Sequence, residues 1–261
     1  MSGASPVPTG PVPTGPAPTG PEPAGHDESS WAKNVSRLDL SSAPAGGIPG
    51  NVAGRRVSGP LQGFGQMWQK TYQVRLPGAD LDVADLITTW KARFPEFWPE
   101  RNTFYAPLTG IAPGEVALLD VTLPGRFKLS TGVMVLYADA ESFTLMTPQG
   151  HMFAGWITFS ARREGDDVVA QAQVLMRASD PVFELGLLLG GHRQEDVFWE
   201  RTLVRLATHL GYPNVRTETS VVCVDKKRQW SRWRNIGQSS AIWSTVYMLG
   251  APVRLVTRRR S

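Results

Sequence analysis

The sequence predicts an α+β fold in which a curved antiparallel β-sheet wraps around a long C-terminal helix. Residues 153–177 alternate between two side-chain faces, as two strands joined by a charged turn would. Farther along, Trp199, Leu203, Leu206 and Leu210 recur at spacings of four, three and four, which places them on one stripe of a helix. The whole order of elements is strand, helix, several antiparallel strands and a long helix, which is typical of this fold class.

The chain begins with residues 1–63, which we predict to be a disordered leader. Residues 6–25 are four proline-rich pentads with almost no side chain large enough to bury, so they cannot recover the entropy of ordering. A spacer is the favoured interpretation, and a ligand for a proline-recognising domain is the alternative. The segment up to residue 60 continues in Ser, Gly, Ala and Pro, and we expect no contribution from it to a core. Trp31, Val35 and Leu38 have the spacing of a short helix.

The predicted main domain spans residues 64–224. Its first strand covers 68–76, with Trp68, Lys70, Tyr72, Val74 and Leu76 on one face, and Pro77-Gly78 ends it. A one-sided helix follows from Val83 to Phe94, capped by Asp80 or Asp82. Three further strands are predicted over 115–123, 131–138 and 142–147.

Residues 94–107 are rich in aromatic side chains separated by prolines. Prolines oppose regular structure, so we expect a stiff loop that presents these rings. The rings would either seal one end of the core or line a binding cavity, and sealing is the favoured interpretation.

The segment 143–211 is the best patterned part of the chain. Its hairpin ends at Ser179-Asp180-Pro181, a helix start signal, because a short oxygen-bearing side chain accepts from free N–H groups and proline lacks one. Gly190-Gly191 is expected to bend the helix, and Gly211 is placed to cap its end.

This segment resembles the START-like, helix-grip superfamily, also called SRPBCC, and in particular its uncharacterised bacterial branch. The similarity covers about 64–212 and is carried by the turn at 148–151, the Gly155-Trp156 strand, the junction at 177–181 and the break at 189–191. The resemblance implies a cavity between sheet and long helix that takes lipids, polyketides or other apolar molecules. Some members are cyclases or hydroxylase components, but no catalytic signature carries over residue by residue.

We therefore predict binding of an apolar small molecule, with catalysis less favoured and no cofactor. The side chains expected to line the cavity are Phe104, Tyr105, Met146, Phe153 and Trp156. Nucleophile-elbow, phosphate-loop and dinucleotide patterns do not occur in the sequence, so nucleophilic and nucleotide chemistry are unsupported.

Two histidines have the spacing or setting for chemistry. His151, in a tight turn, is the weak candidate for acid–base catalysis in a cyclase or hydrolase, although a histidine bonded to backbone is favoured. His192 and Glu195 are three apart, as some metal ligands are, but a solvated helix face is favoured and no metal site is predicted.

Residues 225–261 form a predicted basic C-terminal extension. Residues 223–261 hold 9 Lys and Arg against 1 acidic residue, whereas 64–222 hold 14 against 18. Cations interleaved with tryptophan suit an anionic membrane surface, and nucleic acid is a less favoured partner. The favoured interpretation is an ordinary helix whose Trp243, Val246, Tyr247 and Gly250 pack on the domain. The side chains assigned to membrane or anion contact are Lys226, Lys227, Arg228, Trp230, Arg232, Trp233 and Arg234.

The chain has one cysteine, Cys223, which excludes an internal disulfide and a zinc site built from cysteines. The sequence begins without a secretory signal pattern, so we expect a cytoplasmic protein that could attach to a membrane surface.

Overall fold

A computed structural model describes residues 27–34, 37–40, 49–123 and 128–249 of the chain. The proline-rich pentads lie outside the described residues, as do residues 250–261.

One antiparallel sheet of eight strands forms the body of the protein, in the order β2-β3-β4-β5-β6-β7-β1-β8. Neighbours in the chain are neighbours in the sheet from β2 to β7, and β1 then pairs with both β7 and β8. The sheet wraps the long helix α3, so the predicted α+β helix-grip fold is confirmed. The strands are β1 Met67–Leu76, β2 Thr103–Tyr105, β3 Val116–Thr122, β4 Lys128–Ala138, β5 Ser142–Met146, β6 Phe153–Glu164, β7 Asp167–Ala178 and β8 Thr217–Asp225.

Within the described ranges, four α-helices accompany the sheet: α1 Val83–Arg93, α2 Pro181–Gly186, α3 His192–His209 and α4 Ser240–Leu249. The predicted caps are confirmed, since Asp82 accepts from Ala84 N–H and Asp180 accepts from Val182 and Phe183 N–H. A π-helical turn, Leu187–Gly191, separates α2 from α3, and its Gly190 has φ +112°, a backbone angle that favours glycine. The predicted bend is therefore present.

None of the described helices is long and apolar enough to cross a bilayer.

The concave face of the sheet holds the main core, between the strands and the helices α1 and α3. Phe143 and Phe159 stack with ring centroids 4.7 Å apart, and Trp90 meets the Phe159 ring edge-on at 5.2 Å. The rings of the 94–107 stretch join them, because Phe94, Phe97, Trp98 and Phe104 are all buried. Their burial favours the sealing interpretation. The stretch also has more regular structure than predicted, with a 3₁₀ helix at Phe94–Phe97 and the strand β2.

The convex face is covered by segments from both sides of the main domain. Leu38 and Val52 are buried there against Leu118 and Met134 of the sheet. The expectation that the first sixty residues add nothing to a core is therefore corrected at these two positions. Trp31 pairs with Tyr137 as an isolated β-bridge instead of beginning a helix.

Helix α4 covers β4 on the same convex face, and of the side predicted to pack only the Trp243 side chain lies among the described residues. Ser244 is buried and bonds with Asn51 and Ser130, whereas Trp243 is 49% exposed. The Ser244 side of α4 therefore faces the sheet, and the Trp243 indole is partly open to solvent. The side chains of Val246 and Tyr247, and the whole of Gly250, lie outside the described residues.

Candidate functional site

The sheet separates the five side chains expected to line one cavity. Phe104 and Phe153 lie on the concave side, in and against the main core. Met146 and Trp156 lie on the convex side, where both approach Gly59. Tyr105 packs there too, near Leu38 and Val52, and its hydroxyl donates to Asp120 at 3.0 Å. The structure therefore brings only Phe104 and Phe153 to the face that α3 covers.

His151 is buried and bonded to the backbone. Its Nδ1 accepts from Phe153 N–H at 3.0 Å. Burial lowers the pKa of His151 to about 4, against an ordinary value of 6.5, because the charged ring would lose its hydration. The His151 ring stays neutral at physiological pH and is closed off from solvent. Both properties argue against His151 as an acid or base in catalysis.

A buried group of ionisable side chains lies between β1 and the first turn of α3. We call Lys70, Tyr72, His192, Glu195 and Asp196 the Lys70 cluster. Lys70 Nζ is 2.7 Å from Asp196 Oδ1 and 2.9 Å from Glu195 Oε2, and it donates to the His192 carbonyl at 3.3 Å. The Tyr72 hydroxyl donates to Asp196 Oδ1 at 2.7 Å. The cluster thus puts one cation against two carboxyl groups beneath the helix.

Burial shifts the acidity of several groups in the Lys70 cluster. It raises the pKa of Glu195 to about 7, although Lys70 acts in the opposite direction. Burial and, to a smaller extent, the charge of Lys70 together lower the pKa of His192 to about 4. Burial and the neighbouring carboxylates raise the pKa of Tyr72. Glu195 can therefore change its protonation state near neutrality, which is unusual for a carboxyl group.

Several polar atoms in and near the Lys70 cluster are buried without a hydrogen-bond partner among the described residues. They include Glu195 Oε1 and His192 Nδ1. The indole N–H groups of Trp90 and Trp98, deeper in the concave core, are also buried without a hydrogen-bond partner among the described residues. Buried polar groups are costly unless they are bonded, so these atoms mark places that can accept or donate to another molecule.

Solvent reaches the members of the Lys70 cluster unequally. The Lys70 side chain is 1% exposed and that of Glu195 6%, whereas that of Asp196 is 26% exposed. Trp68 lies beside it, with its ring 4.9 Å from the His192 ring. Along β1 and β7, Trp68 and Met176 occupy paired positions next to the Lys70 level. The Lys70 cluster therefore lies at the edge of the concave face, beside an apolar wall that begins with Trp68 and Met176.

Sequence reasoning missed this cluster although part of the signal was present. Lys70 falls on the apolar face of the predicted first strand, where a cation needs a partner. Glu195 was assigned to a solvated helix face, and that assignment is wrong because the sheet buries it. Lys70 and Glu195 can be recognised as partners only once the structure shows that α3 crosses β1.

Among the described residues, no group of three or more His, Cys, Asp or Glu side chains is arranged to hold a metal ion. A surface pocket of about 390 Å³ lies beside α3, but Pro99, Glu100, Arg101, Arg201 and Arg205 line it. Its polar lining differs from the apolar cavity that the sequence predicted.

The surface around α2 combines apolar and basic side chains. We call residues 182–189 the leucine turn and residues 226–234 the basic segment. Leu185, Leu188 and Leu189 are exposed on the turn, and Trp230 and Trp233 are exposed on the segment. Arg228 Nε lies 2.7 Å from Glu184 Oε1 and joins the two. Of the seven side chains assigned to membrane or anion contact, Arg228 is therefore committed to an ion pair.

Neither a protein-family model nor a curated protein sequence matches the chain. Solved structures do resemble it. A START superfamily protein from Mycobacterium smegmatis is 20% identical over 56% of this chain and 99% of its own, with a TM-score of 0.39. The di-domain ARO/CYC StfQ from the steffimycin biosynthetic pathway is 14% identical over 56% of this chain and 50% of its own, with a TM-score of 0.41. A protein from Arthrobacter aurescens is 11% identical over 61% and 92%, with a TM-score of 0.42.

The α+β helix-grip architecture is a property of the molecule itself, given by the strand order and by the long helix that the sheet wraps.

Proposed function

We propose that the protein binds an apolar small molecule, of lipid or polyketide type, at the edge of the concave face where β1 meets the start of α3. The observation that supports this most is the Lys70 cluster, because it holds unpartnered polar atoms beside apolar side chains. In this proposal the apolar part of the molecule lies against Trp68, Met176 and Phe153, and its polar end meets Glu195 and His192.

The cluster is better explained by binding than by stability. A buried ion pair costs more desolvation than its attraction returns unless further hydrogen bonds complete it, and apolar residues of similar size often serve stability as well. The Glu195 carboxyl lacks such completion at Oε1. A hydroxyl, amide or amine of a bound molecule would donate to that oxygen.

The register of the sheet places the apolar wall next to the cluster. Trp68 is paired with Met176, and Met176 with Gly155, so Phe153 lies two positions farther along the same face. Phe153 is half-buried against the core. His192 begins α3 three residues after the leucine turn, so the Lys70 cluster lies close to that turn along the chain.

The test compares two aromatic side chains on opposite faces of β6. Phe153→Ala removes part of the proposed wall, and Trp156→Ala removes a half-buried ring from the convex face of the same strand. The probe is Nile red, a neutral apolar dye, titrated against the full chain and followed by fluorescence. We expect saturable binding of the dye, weakened about tenfold by Phe153→Ala, which corresponds to ~1.4 kcal/mol, and unchanged by Trp156→Ala.

A third variant addresses the polar end. Glu195→Gln keeps the shape of the side chain and removes its charge. We expect it to change the affinity for the neutral dye only slightly. Its main effect should be on how that affinity depends on pH between 6 and 8. Native mass spectrometry of the protein from its own host should show a bound small molecule. Equal weakening by Phe153→Ala and Trp156→Ala, with no bound mass, would overturn the proposal.

A further inference from the structure

Large apolar side chains protrude from the leucine turn. Val182, Leu185, Leu188 and Leu189 are all exposed, and Leu189 is 79% exposed. Val182 and Leu185 are three apart, as are Leu185 and Leu188, so they project from neighbouring positions of the helical turns. A contiguous exposed apolar patch on a water-soluble domain marks a surface that contacts something else.

The turn is firmly held from beneath, so its exposure is a property of the fold. Asp180 caps α2, Leu187 is buried, and Glu184 is buried and paired with Arg228. Gly190, with φ +112°, lets the chain reverse into α3 and leaves Leu188 and Leu189 at the tip.

The basic segment and Asn235, the residue after it, are fixed beside the leucine turn by four contacts. In addition to the Arg228–Glu184 pair, Asn235 Nδ2 donates to the Ser179 carbonyl at 2.8 Å. Arg177, buried under the segment, donates to the Lys227 carbonyl at 2.9 Å. Trp230 meets Phe64 edge-on at 5.2 Å and is nevertheless 70% exposed. The indole is thus anchored at one edge and presented to solvent at the other.

This surface carries surplus positive charge. Two nearby acidic side chains are already paired, since Glu184 pairs with Arg228 and Asp225 with Arg177. A third, Asp180, is buried and caps α2. Within the part of the chain that the structure describes, Lys226, Lys227, Arg232 and Arg234 form no ion pair. They are exposed, and the Arg234 guanidinium lies 5.6 Å from the Trp233 ring centroid.

We propose that the leucine turn and the basic segment together form a docking surface for an anionic lipid bilayer. Aliphatic side chains at a tip enter the acyl boundary, indole rings occupy the headgroup level, and lysine and arginine attract anionic headgroups. All three chemistries occur on one continuous surface. Exposed leucines distinguish a bilayer from nucleic acid, because aliphatic side chains cannot stack on bases.

The experiment is co-sedimentation of the full chain with vesicles. Vesicles of phosphatidylcholine with phosphatidylserine are compared with phosphatidylcholine alone. We expect binding to the anionic vesicles, reduced by added salt because the headgroup attraction is screened. Leu189→Asn should weaken this binding on the order of tenfold. The matched control is Leu108→Asn, since Leu108 is 95% exposed but lies in the connection between β2 and β3.

The charge contribution has its own pair of variants. Lys226→Gln with Lys227→Gln removes two cations from the basic segment, and Lys33→Gln with Lys128→Gln removes two exposed cations elsewhere. Only the first pair should lower vesicle binding and its salt dependence. Thermal unfolding checks that every variant is folded.

Three results would overturn the proposal: equal binding by Leu189→Asn and the native chain, equal loss in both lysine pairs, or binding of an RNA oligonucleotide with none to vesicles. The vesicle assay does not involve the Lys70 cluster, so its failure and a failure of small-molecule binding are distinguishable.

Discussion

The concave and convex faces of the same sheet are covered in different ways. The concave face meets α1 and α3, which bring large rings, and Trp90, Phe94, Phe143 and Phe159 are fully buried there. The convex face meets short segments and α4, which contribute a smaller apolar cluster around Leu38 and Val52 and several buried hydrogen bonds. Asn51 Nδ2 donates to the Ser130 carbonyl at 2.7 Å, and Thr147 Oγ1 donates to the Ser58 carbonyl at 3.1 Å. A large aromatic core thus stabilises the concave face, whereas a smaller apolar cluster together with directional hydrogen bonds holds the cover of the convex face.

The largest effect should come from the concave core. Phe159→Ala removes a ring that contacts Trp90, Phe94, Phe143 and Trp199. We expect the free energy of unfolding to fall by about 3–5 kcal/mol, from lost burial plus the cavity left behind. Urea unfolding followed by circular dichroism measures it. A loss no larger than that of Ser244→Ala on the convex face would contradict the contrast between the two faces.

The buried cation on the concave face gives the next effect. Lys70→Met leaves Glu195 without its cation, so unfolding free energy should fall by about 3 kcal/mol at pH 8. The folded-state pKa of Glu195 is about 7, above its ordinary 4.5, so the carboxyl is mostly neutral at pH 5.5 and the loss should shrink there.

The control for this variant is Arg75→Met, on the same strand. Arg75 pairs with Glu164 and Asp167 at the surface, and its side chain is 47% exposed. Such exposed pairs contribute about 0–1 kcal/mol. A similar loss for both variants, at both pH values, would show that burial of Lys70 does not matter.

Protonation of His151 makes the stability of the fold depend on pH in the direction opposite to that of Glu195. The unfolded ring takes up a proton near its ordinary pKa of 6.5, but the folded ring does so only near 4. The unfolded state therefore binds more protons between these values, and stability falls as pH falls, by up to about 3 kcal/mol. His151→Gln should flatten this part of the stability curve, and exposed His209→Gln should leave it in place. Identical curves for the native chain and His151→Gln would contradict the buried neutral state.

The smallest effect should come from the cover of the convex face. Ser244→Ala removes the hydroxyl that bonds with Asn51 at 3.2 Å and with Ser130 N–H at 3.3 Å. We expect about 1 kcal/mol, the usual net contribution of such bonds. A matched control is Thr245→Ala, because Thr245 is exposed and bonds only within α4. Equal losses would show that α4 is not positioned by Ser244.

Most of the concave architecture could be predicted because its periodicities are strong. Alternation located β6 and β7, and the Asp82 and Asp180 caps located the helix starts. Leu38 and Val52 carry no signal of burial against a sheet. They lie in a segment of Gly, Pro, Ala, Ser and charged residues, and the spacing of Trp31, Val35 and Leu38 predicted a short helix instead. Their burial depends on a sheet that exists only after the strands have assembled.

The candidate site was predictable only in part, for a geometric reason. Phe153 and Trp156 are three positions apart, an odd number, so one strand must send them to opposite faces. Phe104 and Tyr105 are adjacent and are separated in the same way once β2 forms. Aromatic density alone therefore assigned to one cavity side chains that lie on opposite faces of the sheet. The Lys70 cluster needed the crossing of α3 over β1, which no local pattern specifies.

The Asn51–Ser244 hydrogen bond joins residues 193 positions apart. Contacts of such long range form late, because the chain between them must first be closed into a loop. During synthesis, Asn51 and Val52 are made before every strand of the sheet, and α4 is made after the last strand. Contacts between this segment and α4 therefore form only after the whole sheet has been made. A sheet with an uncovered apolar face is a surface to which other chains can adhere. We therefore expect the time between the assembly of β4 and the arrival of α4 to be the period in which newly made chains are most prone to aggregate.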